Sequence, residues 1–255
     1  MDFDYLPTML SIIIPTYNEE KYLGRLLRLI RNQFYQPKEI IVADNRSTDK
    51  TVSIAKKFGC RVINGGTPAQ GRTAGGKAAT GDIFLFLDAD VVFKGMDFLK
   101  RIINDYKSYQ NTIATVWFAS QERNFLNKFV CWVANLNKKI NLIIMKKWRT
   151  VIGDYGIFIV CTKSIFDTVG FFPTFSTNNI TMEDTLFFRE TIKKGAQYRV
   201  FPEKIYISGR RLKNKNFFRL LAWGTLCLLI VIGSFFKLRV GRNILRWYEE
   251  MRKGR

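Results

Sequence analysis

The sequence predicts an α/β fold with a doubly wound, mostly parallel sheet flanked by helices. Two observations support this. Short, strongly apolar runs alternate four times with amphipathic stretches over the first 90 residues or so, the pattern of repeated strand–helix units. Asp44, Asp88 and Asp90 end or follow such runs, and open sheets of this type bind ligands at the carboxyl ends of their strands.

The predicted strands of this first part share β-branched and aromatic residues and little charge, as expected for strands buried on both faces. They cover residues 10–15, 39–44, 60–63 and 83–90. Helices fill the intervals. The first begins at Asn18 as N-cap and is broken by Pro37; the second covers 50–58 between Asp49 and Gly59; the third covers about 72–80, after a glycine-rich loop over 64–72.

The pattern is less regular beyond residue 97. The predicted elements are a helix over 98–109, a long apolar and lysine-rich stretch over 124–149, a strand over 157–161, a helix over 182–194 capped by Thr181, and a strand over 198–202. The 124–149 stretch is compatible with a helix lying at a membrane surface and, at least equally, with a helix packed on the domain.

The C-terminal fifth differs in composition from the rest. Residues 220–236 carry no charge and are flanked by Arg and Lys on both sides. Seventeen residues is the lower limit for a membrane-spanning helix, so a span, an interfacial segment and a core helix all remain open. We expect contact with an acidic lipid surface, and a cell-membrane location with the domain on the cytoplasmic side.

The composition of the chain limits the partners and the kinds of catalytic site that it can have. The chain has 255 residues and a formal net charge of +20, which indicates polyanionic partners such as phosphorylated substrates, acidic lipids or nucleic acid. No recognised nucleic-acid motif is present, so nucleic acid is not expected as a partner. The absence of histidine excludes Ser-His-Asp triads and His-based zinc sites.

The four cysteines are widely spaced, without a CxxC pair, and are expected to be reduced and mostly buried thiols in a reducing compartment. They are Cys60, Cys131, Cys161 and Cys227.

The LDAD motif over 87–90 is the strongest chemical signal. Two carboxylates one residue apart, directly after a buried strand, supply the oxygen ligands that hard divalent cations prefer. An isolated D-x-D is more often an ordinary acidic turn, so its surroundings decide. Such cations keep open coordination positions for phosphate oxygens.

Four motifs in order resemble the family 2 glycosyltransferases, which have a GT-A fold: SIIIPTYNEE, EIIVADNRSTDKT, GRTAGGKAATGDIFLFLDAD and TMEDTLFFRETIKKGAQYRVFP. The match covers nearly all of the first 90 residues and resumes over 150–202. Two departures are visible. Thr73 stands where the family usually has Asn, and the stretch YISGRRL has no counterpart of the histidine that many relatives place after the last strand.

The resemblance implies a metal-dependent inverting glycosyltransferase that uses Mn²⁺ or Mg²⁺ and a UDP- or GDP-linked sugar. It implies a GT-A-like domain over 1–208, with a nucleotide-binding part over about 8–97 and an acceptor part over about 98–208, and a basic tail over 209–255. The acceptor is expected to be membrane-proximal, such as a lipid-linked or polysaccharide acceptor.

The resemblance also assigns roles. Asp184 is the expected general base, with Glu183 orienting the acceptor or Asp184, and Asp44 is expected to accept a hydrogen bond from the nucleobase. The nucleotide-binding residues are expected to be Pro15, Thr16, Tyr17, Glu19, Asp44, Arg72 and Asp88. The metal ligands are expected to be Asp90 and Asp88. Candidate diphosphate or acceptor contacts are Arg189, Arg210 and Arg211.

Two other functions remain open. One is a catalytically degenerate protein that binds a nucleotide sugar or serves as a scaffold. The other is a sugar-1-phosphate nucleotidyltransferase, which would need a glycine-rich phosphate loop after the first strand. The segment PTYNEE has no glycine, which argues against that second alternative. The sequence does not identify the sugar, the base, the linkage or the oligomeric state.

Overall fold

The computed structural model describes residues 9–109, 111–148, 151, 154–172, 176–177, 180–181 and 183–209. The strands are β1 Leu10–Thr16, β2 Glu39–Asp44, β3 Arg61–Asn64, β4 Ile83–Leu87, β5 Val92–Phe93, β6 Thr112–Ser120, β7 Phe158–Thr162, β8 Ser176–Thr177, β9 Ile180–Thr181 and β10 Gln197–Ile207. The helices are α1 Glu20–Arg31, α2 Thr51–Lys57, α3 Pro68–Ala78, α4 Phe98–Lys107, α5 Phe125–Trp148, α6 Lys163–Val169 and α7 Glu183–Lys193.

Within the described ranges, eight strands form one sheet in the order β3-β2-β1-β4-β7-β6-β10-β5, and β8 pairs with β9 separately. The half built from the first 90 residues is parallel, as predicted. The other half is mixed, because β7 runs antiparallel to both β4 and β6, and β5 runs antiparallel to β10. The sheet is nevertheless mostly parallel, as predicted, since four of its seven strand pairings are parallel; the antiparallel directions of β7 and β5 were not predicted. Strand direction is not encoded in the apolar run of β7, since its core residues are buried in either orientation.

Both faces of the sheet are covered by hydrophobic cores. Ile12 and Ile14 of β1 pack into one core with the buried leucines of α1, while Ile13 packs into the other. Leu85 and Phe86 of β4 divide between the cores in the same way. This alternation follows from the two-residue period of a strand. It explains why the predicted strands are apolar throughout.

The turns after β1 and β2 are tied to each other by polar side chains. Asn18 is not the N-cap of α1: the helix begins after Glu19, and Asn18 has a φ of 53°, a conformation that Asn tolerates better than most residues. Its Oδ1 accepts from the Thr48 N–H at 2.9 Å. Asp49 accepts from the N–H groups of both Glu20 and Thr51, at 3.0 and 2.9 Å, so one carboxylate serves the start of both helices.

Some boundaries and elements differ from the prediction. α3 begins at Pro68, inside the predicted loop over 64–72, because Thr67 and Gln70 form a capping box and Pro occupies the first turn. The glycine-rich composition of residues 64–72 favours a loop prediction, although the start of a helix lies within them. The strands β5, β6, β8 and β9 and the helix α6 were not predicted, and β10 extends beyond the predicted 198–202.

The long stretch over 124–149 forms α5, which packs against β6 and β10, as the packing alternative predicted. None of the helices in the described ranges combines a membrane-spanning length with a membrane-spanning hydropathy. The apolar stretch over 220–236 lies outside the described residues, so its prediction is untested. Cys60, Cys131 and Cys161 are buried free thiols, as predicted, whereas Cys227 also lies outside the described part of the chain.

Close packing of α3 on β1 requires a glycine at position 75. A Cβ built on Gly75 would lie 2.2 Å from Cγ2 of Ile13, while a Cβ on Gly24 of α1 would meet Ile54 at an ordinary 3.6 Å. We expect Gly75→Ala to lower the free energy of unfolding by about 1–3 kcal/mol in urea titrations, because it overpacks the core. The matched variant Gly24→Ala should leave it unchanged or raise it by up to about 1 kcal/mol. Equal effects of the two substitutions would contradict this packing.

Candidate functional site

The acidic residues predicted from the strand ends lie at the carboxyl edge of the sheet. β2 ends at Asp44, and Asp88 and Asp90 directly follow β4. All three residues are buried, with at most 7% of their surface exposed. Asp88 is also fixed by its backbone, since its N–H donates to the Ile157 carbonyl at 3.1 Å. Buried carboxylates at one edge need compensating positive charge or hydrogen bonds.

Arg72 of α3 supplies that charge. Its Nη2 donates to Asp88 Oδ1 at 2.8 Å and to the Gly156 carbonyl at 3.1 Å, and its Nη1 donates to Glu183 Oε1 at 3.1 Å. The guanidinium is 4% exposed and lies 5.9 Å from the ring centroid of Phe172. Burial disfavours the charged guanidinium, but the neighbouring carboxylates outweigh it and raise the pKa of Arg72. Arg72 therefore holds the end of β4 against the start of α7.

Asp184 lies next to this ion pair. Its Oδ2 accepts from the Gly156 N–H at 2.5 Å, and its Oδ1 accepts from the Thr185 N–H at 2.8 Å. Burial raises the pKa of Asp184, and the charge of Glu183 raises it further; Arg72 and the two N–H groups oppose the rise, and the pKa is about 6. A carboxylate with such a pKa is ionised at neutral pH yet basic enough to accept a proton.

The segment Asp154–Ile157 connects these groups and was not singled out by sequence reasoning. Gly156 contacts Arg72 through its carbonyl and Asp184 through its N–H, and the Ile157 carbonyl accepts from Asp88. Little in the sequence marks it, because its role is carried by backbone groups. A Cβ on Gly156 would lie 2.7 Å from Cβ of Asp184, so a glycine is required there.

A buried ion pair anchors this segment to the core. Lys138 of α5 donates to Asp154 Oδ1 at 2.5 Å and to Thr115 at 3.1 Å, and Tyr198 donates to Asp154 Oδ2 at 2.5 Å. Lys138 is fully buried; burial lowers its pKa, against the charge of Asp154. Thr185 of α7 donates to the Asp154 carbonyl at 3.2 Å. The helix that carries Asp184 is thereby joined to α5 and the sheet.

Asp88 and Asp90 line one small cavity, of about 70 Å³, together with residues of α5 and the chain that follows β10. Ser208 and Gly209 belong to this lining, so the segment after the last strand reaches the D-x-D motif. The Gly209 N–H donates to both carboxylate oxygens of Glu122, at 3.0 and 2.9 Å. Within the described ranges, no three His, Cys, Asp or Glu residues are grouped as a ready-made metal site. Two carboxylates and a hydroxyl are nevertheless oxygen donors of the kind that suits a hard cation.

A second, wider cleft of about 690 Å³ is lined by Asn45 and Arg46, the two residues that follow Asp44 in the chain. Its lining includes Asn45, Gly65, Thr73 and Phe172, together with Arg46 and Lys77 as positive charges. Thr73 follows Arg72 in α3 and accepts from the Phe172 N–H at 2.8 Å, so this wall is continuous with the carboxylate cluster.

Asp44 itself is held by three hydrogen bonds. It accepts from the hydroxyls of Thr16 and Ser47, at 2.8 and 2.6 Å, and from the Ser47 N–H at 2.8 Å. Three donors leave an ionised carboxylate capacity for a further one, since its two oxygens together offer about four acceptor sites.

The remaining predicted site residues are placed as follows. Pro15 and Thr16 end β1 beside Asp44, Tyr17 is 60% exposed in the turn that follows, and Glu19 is the N-cap of α1. Arg189 is half-buried in α7, more than a turn beyond Asp184. Arg210 and Arg211 lie outside the described residues.

Comparison with known proteins identifies the family. The model of glycosyl transferase family 2 matches residues 11–170. A 4,4'-diaponeurosporenoate glycosyltransferase of Staphylococcus haemolyticus is 36% identical over 110 residues, which are 40% of this chain and 29% of that protein. The poly(ribitol-phosphate) β-N-acetylglucosaminyltransferase TarS of Staphylococcus aureus is 37% identical over 91 residues, which are 31% of this chain and 16% of that protein. The match thus spans less than a third of either curated relative.

Solved structures confirm the fold. The structure of S. aureus TarS 1–349 with UDP-GlcNAc has a TM-score of 0.62 at 20% identity and covers 89% of this chain and 71% of that one. The mannosyltransferase PcManGT of Pyrobaculum calidifontis, in complex with GDP-Man and Mn²⁺, has a TM-score of 0.59 at 20% identity. That match covers 77% of this chain and 56% of PcManGT. The chain therefore belongs to glycosyl transferase family 2 and has a GT-A-like α/β fold with a mixed sheet.

Proposed function

We propose that the chain transfers a sugar, with inversion, from a UDP- or GDP-linked donor to a hydroxyl or phosphate acceptor, and that it needs Mn²⁺ or Mg²⁺. One observation carries the proposal: Arg72 bridges Asp88 and Glu183 beside Asp184, so the predicted donor-side and acceptor-side carboxylates form one cluster. In a single displacement, nucleophile and leaving group lie on opposite sides of the reacting carbon, so the group that accepts the proton and the site that stabilises the leaving diphosphate must lie close to each other.

The donor side is built from Asp44, the cleft beside it and the D-x-D motif. Asp44 retains capacity to accept an N–H from uracil or guanine, and the adjoining cleft offers Arg46 and Lys77 as positive charges for a phosphorylated ligand. Two relatives of this fold were solved with UDP-GlcNAc and with GDP-Man, which supports a nucleoside diphosphate sugar as donor. Pro15, Thr16, Tyr17 and Glu19 belong to the turn expected to enclose the base.

Asp90 and Asp88 would hold the divalent cation, with Ser208 within the same cavity. When bound, the cation would neutralise charge that develops on the departing diphosphate. This chain has no histidine, so an oxygen donor or water would take the place of the ligand that many relatives have after the last strand. PcManGT was solved with Mn²⁺, which supports the choice of metal.

Arg72 has a positioning role in this proposal. Its guanidinium is buried and bonded to Asp88 and Glu183, so it fixes the two carboxylates before any ligand arrives. Its Nε has no hydrogen-bond partner among the described residues, and its positive charge adds to the field that favours a diphosphate.

On the acceptor side, Asp184 is the proposed general base. It is held by two N–H groups and has a pKa of about 6, so at neutral pH it is ready to take the proton of an attacking hydroxyl. Glu183 Oε2 is buried without a hydrogen-bond partner in the described part of the chain. A bound acceptor hydroxyl would satisfy that oxygen. A phosphate acceptor, already ionised, would need Asp184 only for positioning.

The acceptor itself is proposed to be membrane-proximal, lipid-linked or polysaccharide, with the domain at the cytoplasmic face of the cell membrane. The net charge of +20 and the apolar stretch over 220–236 support this, since basic proteins bind acidic lipid surfaces. Arg189, Arg210 and Arg211 remain candidate contacts to the acceptor or the diphosphate.

Replacing a proposed metal ligand should reduce turnover. Asp90→Asn is expected to lower metal-dependent hydrolysis or transfer of UDP- or GDP-sugars by about 100-fold or more, because it removes a charged ligand from the site of leaving-group stabilisation. Asp167→Asn removes a carboxylate from the exposed surface and should be neutral. If Asp90→Asn turned over as fast as the parent chain, the metal assignment would be wrong. Binding of UDP without turnover of any donor by the parent chain would favour the degenerate alternative.

The base should be visible in the pH profile. With a hydroxyl acceptor, kcat should fall about tenfold per pH unit below pH 6 and level off above it, because only ionised Asp184 accepts a proton. Glu183→Gln removes a charge that raises this pKa and should move the acidic limb to lower pH. Asp184→Asn should lose about 10²- to 10⁴-fold in rate. A profile that stays flat from about pH 5 to 8 would exclude Asp184 as the base.

Gly156 should be intolerant of a side chain. Gly156→Ala places a Cβ about 2.7 Å from Cβ of Asp184 and is expected to lower kcat by about 100-fold by displacing the base. Donor affinity should change little, because Asp44 and Asp90 are untouched; isothermal titration with UDP and Mn²⁺ measures this. Gly170→Ala is the control for a general loss of stability. Its φ of 76° strains the backbone of any other residue, but its Cβ would approach only a carbonyl oxygen, at 3.9 Å. Full activity of Gly156→Ala would refute the positioning role.

A further inference from the structure

The outward face of α5 carries an apolar stripe that the described part of the chain leaves exposed. Phe125, Trp132 and Ile143 are 81%, 59% and 61% exposed. They recur at spacings of seven and eleven residues, close to whole numbers of turns at about 3.6 residues each, so they lie in one line along the helix. Phe129 joins the stripe: its ring stacks on those of Phe125 and Trp132, with centroids 6.2 and 5.9 Å apart.

Lysines follow one edge of this stripe. Lys128, Lys139 and Lys146 are exposed and also recur at spacings of eleven and seven residues. α5 contains five lysines and no acidic residue over 24 residues. An aromatic stripe beside a row of cations, on a helix without acids, is the pattern of a helix that lies in the plane of an anionic membrane surface.

We propose that this face of α5 docks the protein on an anionic lipid surface, with Phe125, Phe129, Trp132 and Ile143 entering the headgroup region and the lysines contacting lipid phosphates. Charge decides between the possible occupants. A second copy of the chain, with a net charge of +20, would bring the lysine rows of two copies together, whereas an anionic surface complements them.

The opposite face of the same helical turns belongs to the candidate site. Asn127, Cys131 and Ala134 line the cavity that contains Asp88 and Asp90. A membrane bound to the outer face would therefore lie one helix diameter, about 10 Å, from that cavity. This step rests on the proposed function and identifies its acceptor as one presented at an anionic lipid surface; the docking itself does not depend on it.

The test is flotation of the full chain with vesicles of phosphatidylcholine alone and with about 30 mol % phosphatidylglycerol added. The parent chain should bind the anionic vesicles more strongly. Phe125→Ser/Trp132→Ser should lower the partition coefficient at least about tenfold, because two exposed aromatic groups no longer enter the interface. Lys128→Gln/Lys139→Gln should weaken binding to anionic vesicles only. Phe34→Ser, which replaces a residue 69% exposed outside α5, is the matched control.

Unchanged partition of the aromatic double variant would overturn the proposal and assign docking to another part of the chain, such as 220–236. The parent chain could also be dimeric without lipid while the aromatic double variant is monomeric. That result would identify the face as an interface between two copies of the chain and would overturn the proposal as well. Hydrolysis of the donor by the parent chain is measured in parallel, without vesicles. If the parent chain does not hydrolyse any donor, the proposed function is refuted, whereas the partition result still tests the docking.

Discussion

The buried guanidinium of Arg72 is the group on which the arrangement of the site depends. It joins Asp88, at the end of a central strand, to Glu183, at the start of α7, although the two are far apart in the sequence. Buried charges of this kind stabilise the fold only when their partners are present. Removing one partner of a buried ion pair lowers the free energy of unfolding by about 3–5 kcal/mol, because the other charge is left uncompensated. The same requirement fixes both carboxylates in position.

Backbone groups extend this arrangement to the proposed base and to the core. The segment Asp154–Ile157 touches Arg72, Asp184 and Asp88 through main-chain atoms, and Asp154 anchors it through Lys138 and Tyr198. α5 therefore takes part in three arrangements at once. It supplies Lys138 to this anchor, lines the cavity at the D-x-D motif, and presents the uncovered aromatic stripe. In the proposed function, placement of the acceptor and placement of the proposed base would thereby be coupled through one helix.

Much of the half built from the first 90 residues could be predicted from the sequence, because its strands are apolar on both faces and end at acids that the topology brings to one edge. The second half could not. The direction of β7 cannot be read from hydropathy. The capping box of α3 lies in a glycine-rich segment, whose composition favours a loop prediction. In the site, the acids Asp44, Asp88, Asp90 and Asp184 were found through motifs, whereas Gly156 and Asp154 act through backbone atoms and a distant lysine, which no local pattern reveals.

The most direct measurement is a crystal structure of the chain with UDP and Mn²⁺. We expect the uracil beside Asp44, Mn²⁺ coordinated by Asp90 and by the diphosphate, and Arg72 still bonded to Asp88 and Glu183. A nucleotide bound elsewhere on the protein, or a metal that contacts neither Asp88 nor Asp90, would contradict the claim that the edge held by Arg72 is the donor site.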